Sequence, residues 1–376
     1  MNRSIDQHGD SESGDRAETR IMIAGGGTGG HLFPGVAIGE EICRRYGESE
    51  ILFVTGRRKI ESDILSRFEF HQVSIHVEGI KGRGLIRGSM VLLRLPYSLF
   101  QAISIIKRFS PHLVLGVGGY SAGPVCLAAR MLSIPTAIHE QNSFPGLTNR
   151  LLCRIVDRVF ISFAESEVHF PGGSIHLTGN PIRQELFKEK NNHQKVNQRF
   201  TILILGGSQG ARAINKAFLD TLGILKNNGK ESLIIHQTGE TDHAWVLEEY
   251  QEMGFEGEIT PFIHDMAKAY QRADLVVSRA GATTVSELAA LGKPSILIPY
   301  PYAANRHQET NARILADIGG AEILLQENLS GEELANLLIK YMDDRTALEK
   351  MAKQVRKIGR RDATKVIVDQ LAVMMN

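Results

Sequence analysis

The densest group of residues that could do chemistry lies within residues 278–312. A short apolar strand there leads through a glycine turn into a helix, and the hydroxyls of Thr283 and Thr284 stand where they could cap that helix. A helix N-terminus offers unpaired N–H groups and partial positive charge, which together bind anions. Glu287, one turn further, could accept hydrogen bonds from ligand hydroxyls. A capped βαβ unit without any ligand would produce the same local pattern.

A second glycine-rich stretch opens the chain. The apolar strand Arg20–Ala24 is followed by GGGTGGH at residues 25–31 and then by a helical pattern. The letters satisfy G-x-G-x-x-G, and so many glycines favour close approach of the backbone to a ligand over a merely tight turn. A dinucleotide enzyme would place an acid after the next strand, Ile51–Thr55, whereas this chain has Gly-Arg-Arg-Lys at 56–59. Those cations could hold a 2′-phosphate, so an NADP oxidoreductase stays open.

Four consecutive polar residues follow another predicted strand. Pro135–His139 is apolar until its end, where it delivers His139, Glu140, Gln141 and Asn142. In parallel sheets, ligands bind beyond the carboxyl ends of the strands. The run therefore indicates a functional edge more than an ordinary loop.

The strand, glycine-loop and helix pattern occurs twice. Thr201–Leu205 is an apolar strand, and GGSQGA at 206–211 opens a second helix. This duplication predicts two α/β halves, each with a parallel sheet, facing each other across a cleft. A final helix at about 349–375 has periodic apolar positions and could cross back to the first half.

Length and composition limit the class of protein. A chain of 376 residues favours two domains, and a net charge of +1 gives no global field that would attract nucleic acid. Three scattered cysteines argue against a disulfide framework and favour a reducing compartment. Residues 1–19 are polar and lack the apolar core of a signal peptide, so they are predicted to form a disordered tail. The chain has no run of 18 or more apolar residues, so no transmembrane helix is expected.

One segment combines basic and apolar residues. Within Ile75–Phe109 six lysines and arginines are interleaved with leucines and other apolar residues, and Glu78 is the only acid. Such a surface could rest on an anionic membrane. We favour that interpretation for Ile80–Leu95, and a core helix with a solvated rim for Ile103–Phe109.

Six motifs in one order carry a family resemblance. They are GGGTGGHLFPG at 25–35, GVGGYSAGP at 116–124, HEQN at 139–142, TGNPIR at 178–183, GGSQGA at 206–211 and RAGATTVSE at 279–287. From about residue 20 to its end the chain resembles the MurG family of inverting N-acetylglucosaminyltransferases. The resemblance implies a GT-B fold, with two Rossmann-like domains facing each other across a deep cleft. It places an acceptor domain at 20–182 and a UDP-GlcNAc domain at 183–354, with a final helix at about 355–376 packing on the first domain.

The resemblance also implies an activity. Members of the family transfer GlcNAc from UDP-GlcNAc to the C4 hydroxyl of MurNAc in undecaprenyl-pyrophosphoryl-MurNAc-pentapeptide (lipid I), which gives lipid II for peptidoglycan. They act as peripheral proteins at the cytoplasmic face of the bacterial inner membrane, so an anionic membrane surface and other proteins of wall synthesis are expected partners. A UDP-GlcNAc 2-epimerase-like enzyme and a non-catalytic UDP-sugar-binding scaffold remain as alternatives.

Site residues follow from the resemblance position by position. The implied substrate-binding residues are Gly27, Thr28, Gly29, Asn142, Arg183, Ser208, Ile263, Gly281, Ala282, Thr283, Thr284, Val285, Ser286, Glu287 and Gln308. Arg183, Ser208 and the 281–286 turn match positions near the diphosphate. Glu287 matches a ribose contact and Ile263 a uracil contact. Gln308 matches a contact to the donor sugar, although some relatives have two adjacent glutamines where this chain has His307-Gln308.

The chemistry predicts a general base and no metal or other cofactor. No D-x-D motif occurs, and a helix N-terminus with Arg183 could stabilise the leaving diphosphate instead of a metal ion. His31 is the first candidate for the base, because a histidine at the start of the first glycine-loop helix could titrate near neutral pH. Glu140 is the second candidate.

Overall fold

The structure is a computed structural model that describes residues 19–27, 29–77, 84–187, 199–207 and 209–375, without the side chains of residues 60 and 84–94. Residues 1–18 of the predicted tail 1–19 lie outside the described residues, and Thr19 was wrongly included in the tail because it belongs to the first strand. Most of the basic, apolar segment Ile80–Leu95 also lies outside them or is described by its backbone alone.

The N-terminal half is a seven-stranded parallel sheet with helices between its strands. Its strands are β1 (Thr19–Ala24), β2 (Ser49–Thr55), β3 (His71–Ser74), β4 (Leu113–Gly116), β5 (Thr136–Glu140), β6 (Arg158–Ile161) and β7 (Ile175–Leu177). Its helices are α1 (Gly29–Tyr46), α2 (Lys59–Leu65), α3 (Gly84–Phe109), α4 (Ala122–Met131) and α5 (Leu147–Leu152), with a 3-10 turn at Ala164–His169. A further 3-10 turn, Gln184–Phe187, follows the crossing point between the halves and packs in the C-terminal half. The strand order β3-β2-β1-β4-β5-β6-β7 is that of a Rossmann-type sheet.

The C-terminal half repeats this arrangement with six strands, in the order β10-β9-β8-β11-β12-β13. Its strands are β8 (Phe200–Leu205), β9 (Ser232–Gln237), β10 (Gly257–Thr260), β11 (Leu275–Ser278), β12 (Ser295–Leu297) and β13 (Ala321–Ile323). Its helices are α6 (Arg212–Asn227), α7 (His243–Glu252), α8 (Met266–Arg272), α9 (Ala282–Leu291), α10 (His307–Ala316), α11 (Gly331–Asp343) and α12 (Arg345–Arg356), with 3-10 turns at Ala304–Arg306 and Gln326–Asn328. The predicted duplication is confirmed, whereas the short strands β3 and β13 were missed.

Apolar strands buried on both faces explain the two cores. Every residue of β4 and of β8 is buried, as expected for central strands of a parallel sheet covered by helices on each side. Each sheet therefore has one apolar cluster above it and another below. Rigid sheets of this kind fix the positions of the loops at their carboxyl ends.

The end of the chain forms two helices instead of the one predicted. α12 packs in the C-terminal half, and α13 (Ala363–Met375) packs against α1 of the N-terminal half. Ile367, Val368 and Leu371 enter the N-terminal core, and Arg158 donates a hydrogen bond to the Gln370 carbonyl oxygen at 3.0 Å. No described helix is both long and apolar enough to cross a membrane.

Truncating an apolar residue of α13 should destabilise the protein. Leu371 is fully buried, so Leu371→Ala should lower the free energy of unfolding by about 2–5 kcal/mol through the lost burial and the cavity left behind. Val373 lies on the same helix with 60% of its surface exposed, and Val373→Ala should change stability by less than about 0.5 kcal/mol. Guanidinium unfolding followed by circular dichroism measures both, and equal effects would contradict the packing of α13.

Candidate active site

Two helix N-termini meet where the halves face each other. α1 starts at Gly29 in the N-terminal half and α9 starts at Ala282 in the C-terminal half. The Thr283 hydroxyl donates to the Gly30 carbonyl oxygen at 3.4 Å and so connects the two helix starts. The first N–H groups of each helix have no partner within the helix, and each end carries about half a positive charge. The junction is therefore suited to bind an anion.

The predicted capping of α9 by threonine is wrong. Gly281 is the N-cap, with no side-chain cap bond, and Thr283 and Thr284 lie inside the first turn. An uncapped start leaves its backbone N–H groups available to a ligand. The side chains of Ala282, Val285 and Ser286 are buried, so among these residues the backbone of the first turn is what a ligand could contact.

The first glycine loop is held by residues that the sequence analysis missed. Glu61, at the start of α2, accepts a hydrogen bond from the Gly27 amide at 2.5 Å and another from the Arg58 amide at 3.2 Å. The Arg58 guanidinium in turn donates to the Gly27 carbonyl oxygen at 3.2 Å. Gly27 has φ of +98°, a conformation that favours glycine. A helix start with an acid three residues after its N-cap was the available signal. Thr28 lies outside the described residues.

His31 lies against a second glycine turn. Gly118 has φ of +89°, and a Cβ atom there would come within 2.8 Å of the His31 Nδ1 atom. The His31 Nδ1 atom is 3.0 Å from the Oε1 atom of Gln141. Residues 118 and 141 follow the neighbouring strands β4 and β5, so adjacent strand ends position the imidazole.

Glu140 is buried and fully hydrogen-bonded. Its Oε1 atom accepts from the Asn142 amide at 3.0 Å and from the Asn142 side chain at 3.2 Å. Its Oε2 atom accepts from the Gly146 amide at 3.1 Å and from the Asn149 side chain at 2.9 Å. The carboxylate thus orders the loop that carries Asn142.

Asn311, which the sequence analysis missed, joins the halves. Its Oδ1 atom accepts from the Ser143 amide at 3.1 Å and from the Ser143 hydroxyl at 2.8 Å. Its Nδ2 atom donates to the Asn142 Oδ1 atom at 3.4 Å and to the Ala280 carbonyl oxygen at 3.3 Å. One buried side chain thus connects the loop after β5 with the turn before α9. No local pattern marks it, because its partners come from distant segments.

Glu287 and Arg183 lie close together in the C-terminal side of the junction. Glu287 is buried and accepts a hydrogen bond from the Tyr270 hydroxyl at 2.9 Å. Burial raises the pKa of Glu287, while the Arg183 charge and the Tyr270 bond oppose that change. The Arg183 guanidinium lies over the Phe33 ring of α1 at 4.9 Å and pairs with Glu185 at 2.7 Å.

Two further predicted contacts have partners inside the protein. The Ile263 amide donates to the Gln237 side chain at 2.9 Å, so its carbonyl oxygen is the backbone atom left for a ligand. The Gln308 Oε1 atom accepts from the Tyr300 amide at 2.9 Å, which fixes the side chain and leaves its NH₂ group as a donor. His307 instead contacts the Ala304 carbonyl oxygen at 2.7 Å. Ser208 lies outside the described residues.

Among the described residues, no three or more His, Cys, Asp or Glu side chains form a group that could hold a metal ion. The charged and polar groups described at the junction include the backbone amides of two helix starts, Arg183, Glu287 and His31. This set can bind a phosphate ester, accept hydrogen bonds from hydroxyls and take up a proton.

Family comparisons identify the two halves. Residues 21–161 match the glycosyltransferase family 28 N-terminal domain, and residues 201–367 match the glycosyltransferase family 28 C-terminal domain. The chain belongs to glycosyltransferase family 28. It is therefore a glycosyltransferase, and the expected GT-B fold is confirmed.

Curated relatives match over nearly the whole chain. A UDP-N-acetylglucosamine–N-acetylmuramyl-(pentapeptide) pyrophosphoryl-undecaprenol N-acetylglucosamine transferase of Syntrophus aciditrophicus (strain SB) is 46% identical over 95% of this chain and 99% of its own length. A relative of the same name from Geobacter sp. (strain M21) is 47% identical over 93% of this chain and 94% of its own length.

Solved structures show the same fold. The crystal structure of Acinetobacter baumannii MurG is 32% identical, with a TM-score of 0.75 over 94% of this chain and 99% of that one. A UDP-GlcNAc 2-epimerase from Neisseria meningitidis bound to UDP-GlcNAc is 14% identical, with a TM-score of 0.62 over 94% of this chain and all of that one. At that identity the second likeness shows the fold alone.

Acid should lower the free energy of unfolding of the protein through His139. This side chain is fully buried, and burial lowers the pKa of His139 from 6.5 to about 4. Because the folded value is below the unfolded one, the contribution to stability is complete above pH 6.5 and is lost as the pH falls to about 4. The difference between the unfolded and folded pKa values of His139 corresponds to about 3 kcal/mol in the free energy of unfolding.

A variant without the titrating group measures this contribution. Urea unfolding gives the free energy of unfolding of wild type and of His139→Asn. The difference between the two values should become smaller as the pH falls from 6.5 to 4. His236, whose pKa burial lowers to about 3, is present in both proteins and cancels in the comparison. A gap that stays constant with pH would contradict the neutral state of His139.

Proposed function

We propose that this chain transfers GlcNAc from UDP-GlcNAc to the C4 hydroxyl of MurNAc in lipid I and so makes lipid II for peptidoglycan. The names of relatives 46% and 47% identical over almost the full length support this substrate pair. The structural observation that carries the proposal is the meeting of the α1 and α9 N-termini beside His31. This meeting of helix starts supports a diphosphate site and a base at one point of the cleft.

The donor binds mainly to the C-terminal half in this proposal. The diphosphate lies at the uncapped start of α9, formed by Gly281 and the first turn, with Arg183 completing the charge. Glu287 accepts hydrogen bonds from the ribose through the carboxylate oxygen that Tyr270 does not use. The Ile263 carbonyl oxygen meets uracil, and the Gln308 NH₂ group meets the donor sugar.

The N-terminal half completes the donor site and holds the acceptor. Gly29 at the start of α1 and the loop of Asn142 lie at the junction, Gly27 belongs to the loop before α1, and Asn311 links the Asn142 loop to the turn before α9. Thr28 belongs to the glycine loop at 25–31 and Ser208 to the glycine loop at 206–211, and both residues remain predicted contacts. Each half thus contributes to one site, which requires the halves to lie together.

The reaction is a single displacement with inversion. The C4 oxygen of the acceptor forms a bond to the anomeric carbon while the bond from that carbon to the β-phosphate oxygen breaks. UDP leaves with the electron pair, and the hydroxyl proton passes to the base. Backbone amides at the helix starts and Arg183 stabilise the charge that develops on the diphosphate, so we propose that the chemistry requires no metal or other cofactor.

His31 suits the role of base better than Glu140. Both oxygens of Glu140 accept hydrogen bonds within the protein, and only 1% of its surface is exposed. Using it as a base would break bonds that order the Asn142 loop. His31 lies at the start of α1 beside the junction and is partly exposed. We assign Glu140 to holding that loop.

We also propose that the protein acts at the cytoplasmic face of the inner membrane, close to other wall-synthesis proteins. The C-terminal part of α3 exposes Leu95, Tyr97 and Phe100, the last with 69% of its surface accessible. α4 packs between α3 and α5, and Leu147 and Leu151 of α5 are also exposed. Arg150 and Arg154, close to Leu147 and Leu151 in the chain, are exposed as well, and exposed apolar and basic side chains together suit binding to an anionic membrane.

A two-substrate assay tests the proposed function. With UDP-GlcNAc and a lipid I analogue, wild type should release UDP and form the disaccharide lipid, in excess EDTA as well. UDP-ManNAc formed from UDP-GlcNAc alone would favour an epimerase. Donor binding without turnover would favour a scaffold, and strict dependence on a divalent cation would contradict the metal-free proposal.

Two variants should affect different kinetic constants. His31→Ala should lower kcat by about 100-fold or more with little change in donor binding, because it removes the base. Glu287→Gln should mainly raise KM for UDP-GlcNAc, because it removes a charged acceptor for the ribose hydroxyls. Turnover by His31→Ala close to wild type would exclude the base role, and an unchanged donor affinity for Glu287→Gln would exclude the ribose contact.

Vesicle binding tests the membrane surface. A double variant, Phe100→Ser with Leu151→Ser, should bind vesicles containing anionic phospholipid more weakly, since it removes exposed apolar area on both helices. Ile358→Ser is the matched control, because Ile358 is an exposed apolar residue of the C-terminal half. Equal binding by the double variant and the control, in sedimentation with vesicles, would contradict this surface.

A further inference from the structure

Three side chains at the carboxyl end of β5 and the start of α1 form a line of hydrogen bonds. Gln141 stands between His139 and His31, and contacts one ring nitrogen of each. Gln141 and His139 are buried, and the proposed chemistry uses neither of them directly. The direction of each hydrogen bond in this line can be assigned from fixed groups at its ends.

The Val117 carbonyl oxygen fixes the orientation of the Gln141 amide. The Gln141 Nε2 atom lies 2.8 Å from that oxygen and donates to it. The reverse orientation would place two acceptor oxygens in contact, so the NH₂ group must face Val117. The Gln141 Oε1 atom, an acceptor only, is therefore the atom that faces His31 Nδ1 at 3.0 Å.

His139 fixes the same orientation independently. Its Nε2 atom faces the Gly179 carbonyl oxygen at 3.3 Å and the Ser162 hydroxyl oxygen at 3.3 Å. The Ser162 hydroxyl donates its own proton to the Glu140 carbonyl oxygen at 2.9 Å, so both groups accept and Nε2 carries a proton. Burial lowers the pKa of His139 and keeps the ring neutral, so its Nδ1 atom has a lone pair. That lone pair faces the Gln141 Nε2 atom at 3.2 Å and needs a donor. Two separate carbonyl groups thus require the same arrangement of the amide.

We propose that Gln141, held by Val117 and His139, is a positioning residue that fixes the tautomer of His31. Facing an acceptor-only oxygen, His31 Nδ1 must carry the proton, so the lone pair lies on Nε2. The inference rests on the proposed role of His31 as the base. In the other tautomer Nε2 would carry a proton and could not take one from the acceptor hydroxyl.

The same contact stabilises the product of proton transfer. When Nε2 takes the hydroxyl proton, the imidazolium still donates from Nδ1 to Gln141 Oε1. A hydrogen bond from a charged donor is stronger than one from a neutral donor, so the contact strengthens as the charge develops. Gln141 thereby assists the transfer without touching the substrate.

Nitrogen NMR on the full-length, ¹⁵N-histidine-labelled protein tests the inference without relying on activity. The His31 signals are assigned by their loss in His31→Gln. In wild type, the neutral ring should be protonated at Nδ1. In Gln141→Leu, which has similar volume but no acceptor, a substantial fraction should shift to the Nε2-protonated form. Gln141→Glu in its protonated form can donate to the Val117 carbonyl oxygen and keeps an acceptor oxygen toward His31, so it should keep the proton on Nδ1.

Steady-state kinetics on the same variants separate positioning from general stability. Gln141→Leu should lower kcat at least about tenfold and leave KM for UDP-GlcNAc within about threefold, while Gln141→Glu should recover part of kcat. Thr221→Val is the matched control: it removes the buried hydroxyl that donates to the Ala217 and Gly331 carbonyl oxygens, far from the junction, and should leave kcat unchanged.

The outcomes distinguish this inference from the proposed function. Protonation of His31 at Nε2 in wild type, or the same tautomer in wild type and Gln141→Leu, would overturn the inference. If Gln141→Leu does not fold, protonation of His31 at Nε2 in the spectrum of wild type or of Gln141→Glu would still overturn the inference. Turnover by His31→Ala close to wild type would instead end the role of His31 as base, whatever tautomer the spectra show.

Discussion

The structure depends on one geometric constraint: two parallel sheets direct the carboxyl ends of their strands toward each other. Helices that follow those strands must then start at the junction, so the N-termini of α1 and α9 meet there and are joined by the Thr283–Gly30 contact. Two partial positive charges in one place would repel each other without an anion between them. In the proposed function the diphosphate leaving group is that anion, and this arrangement suits the fold to transfer from a nucleotide sugar.

Contacts between the halves make this junction a defined site. Asn311 is fully buried and bonds to the loop of Asn142 and to the turn before α9. Arg183 stacks on Phe33 of the opposite half. Buried polar groups cost free energy when they lose a partner, so these contacts favour one relative position of the two ligand-binding edges. In the proposed function, the same side chains that join the halves therefore hold the donor-binding and acceptor-binding groups in one relative position.

The HEQN run shows how neighbouring residues divide their roles. Glu140 is surrounded by four donors and orders its own loop. His139 and Gln141 point the other way along the strand end and lead to His31. Asn142 faces the opposite half. These neighbouring residues thus contact a loop, the proposed base and the interface between the halves, because successive side chains leave the strand in different directions.

The sequence by itself determined the two halves, their central strands and the glycine loops, because apolar runs and glycine turns are local signals. It also marked His31, Glu287 and Gln308 through the family resemblance. Only the tertiary structure showed that Glu61 holds Gly27, that Asn311 joins the halves, that Glu140 is enclosed, and that Thr283 bonds across the junction instead of capping α9. These contacts join residues far apart in the chain, and their hydrogen bonds depend on which strand ends the fold brings together, which no local pattern contains.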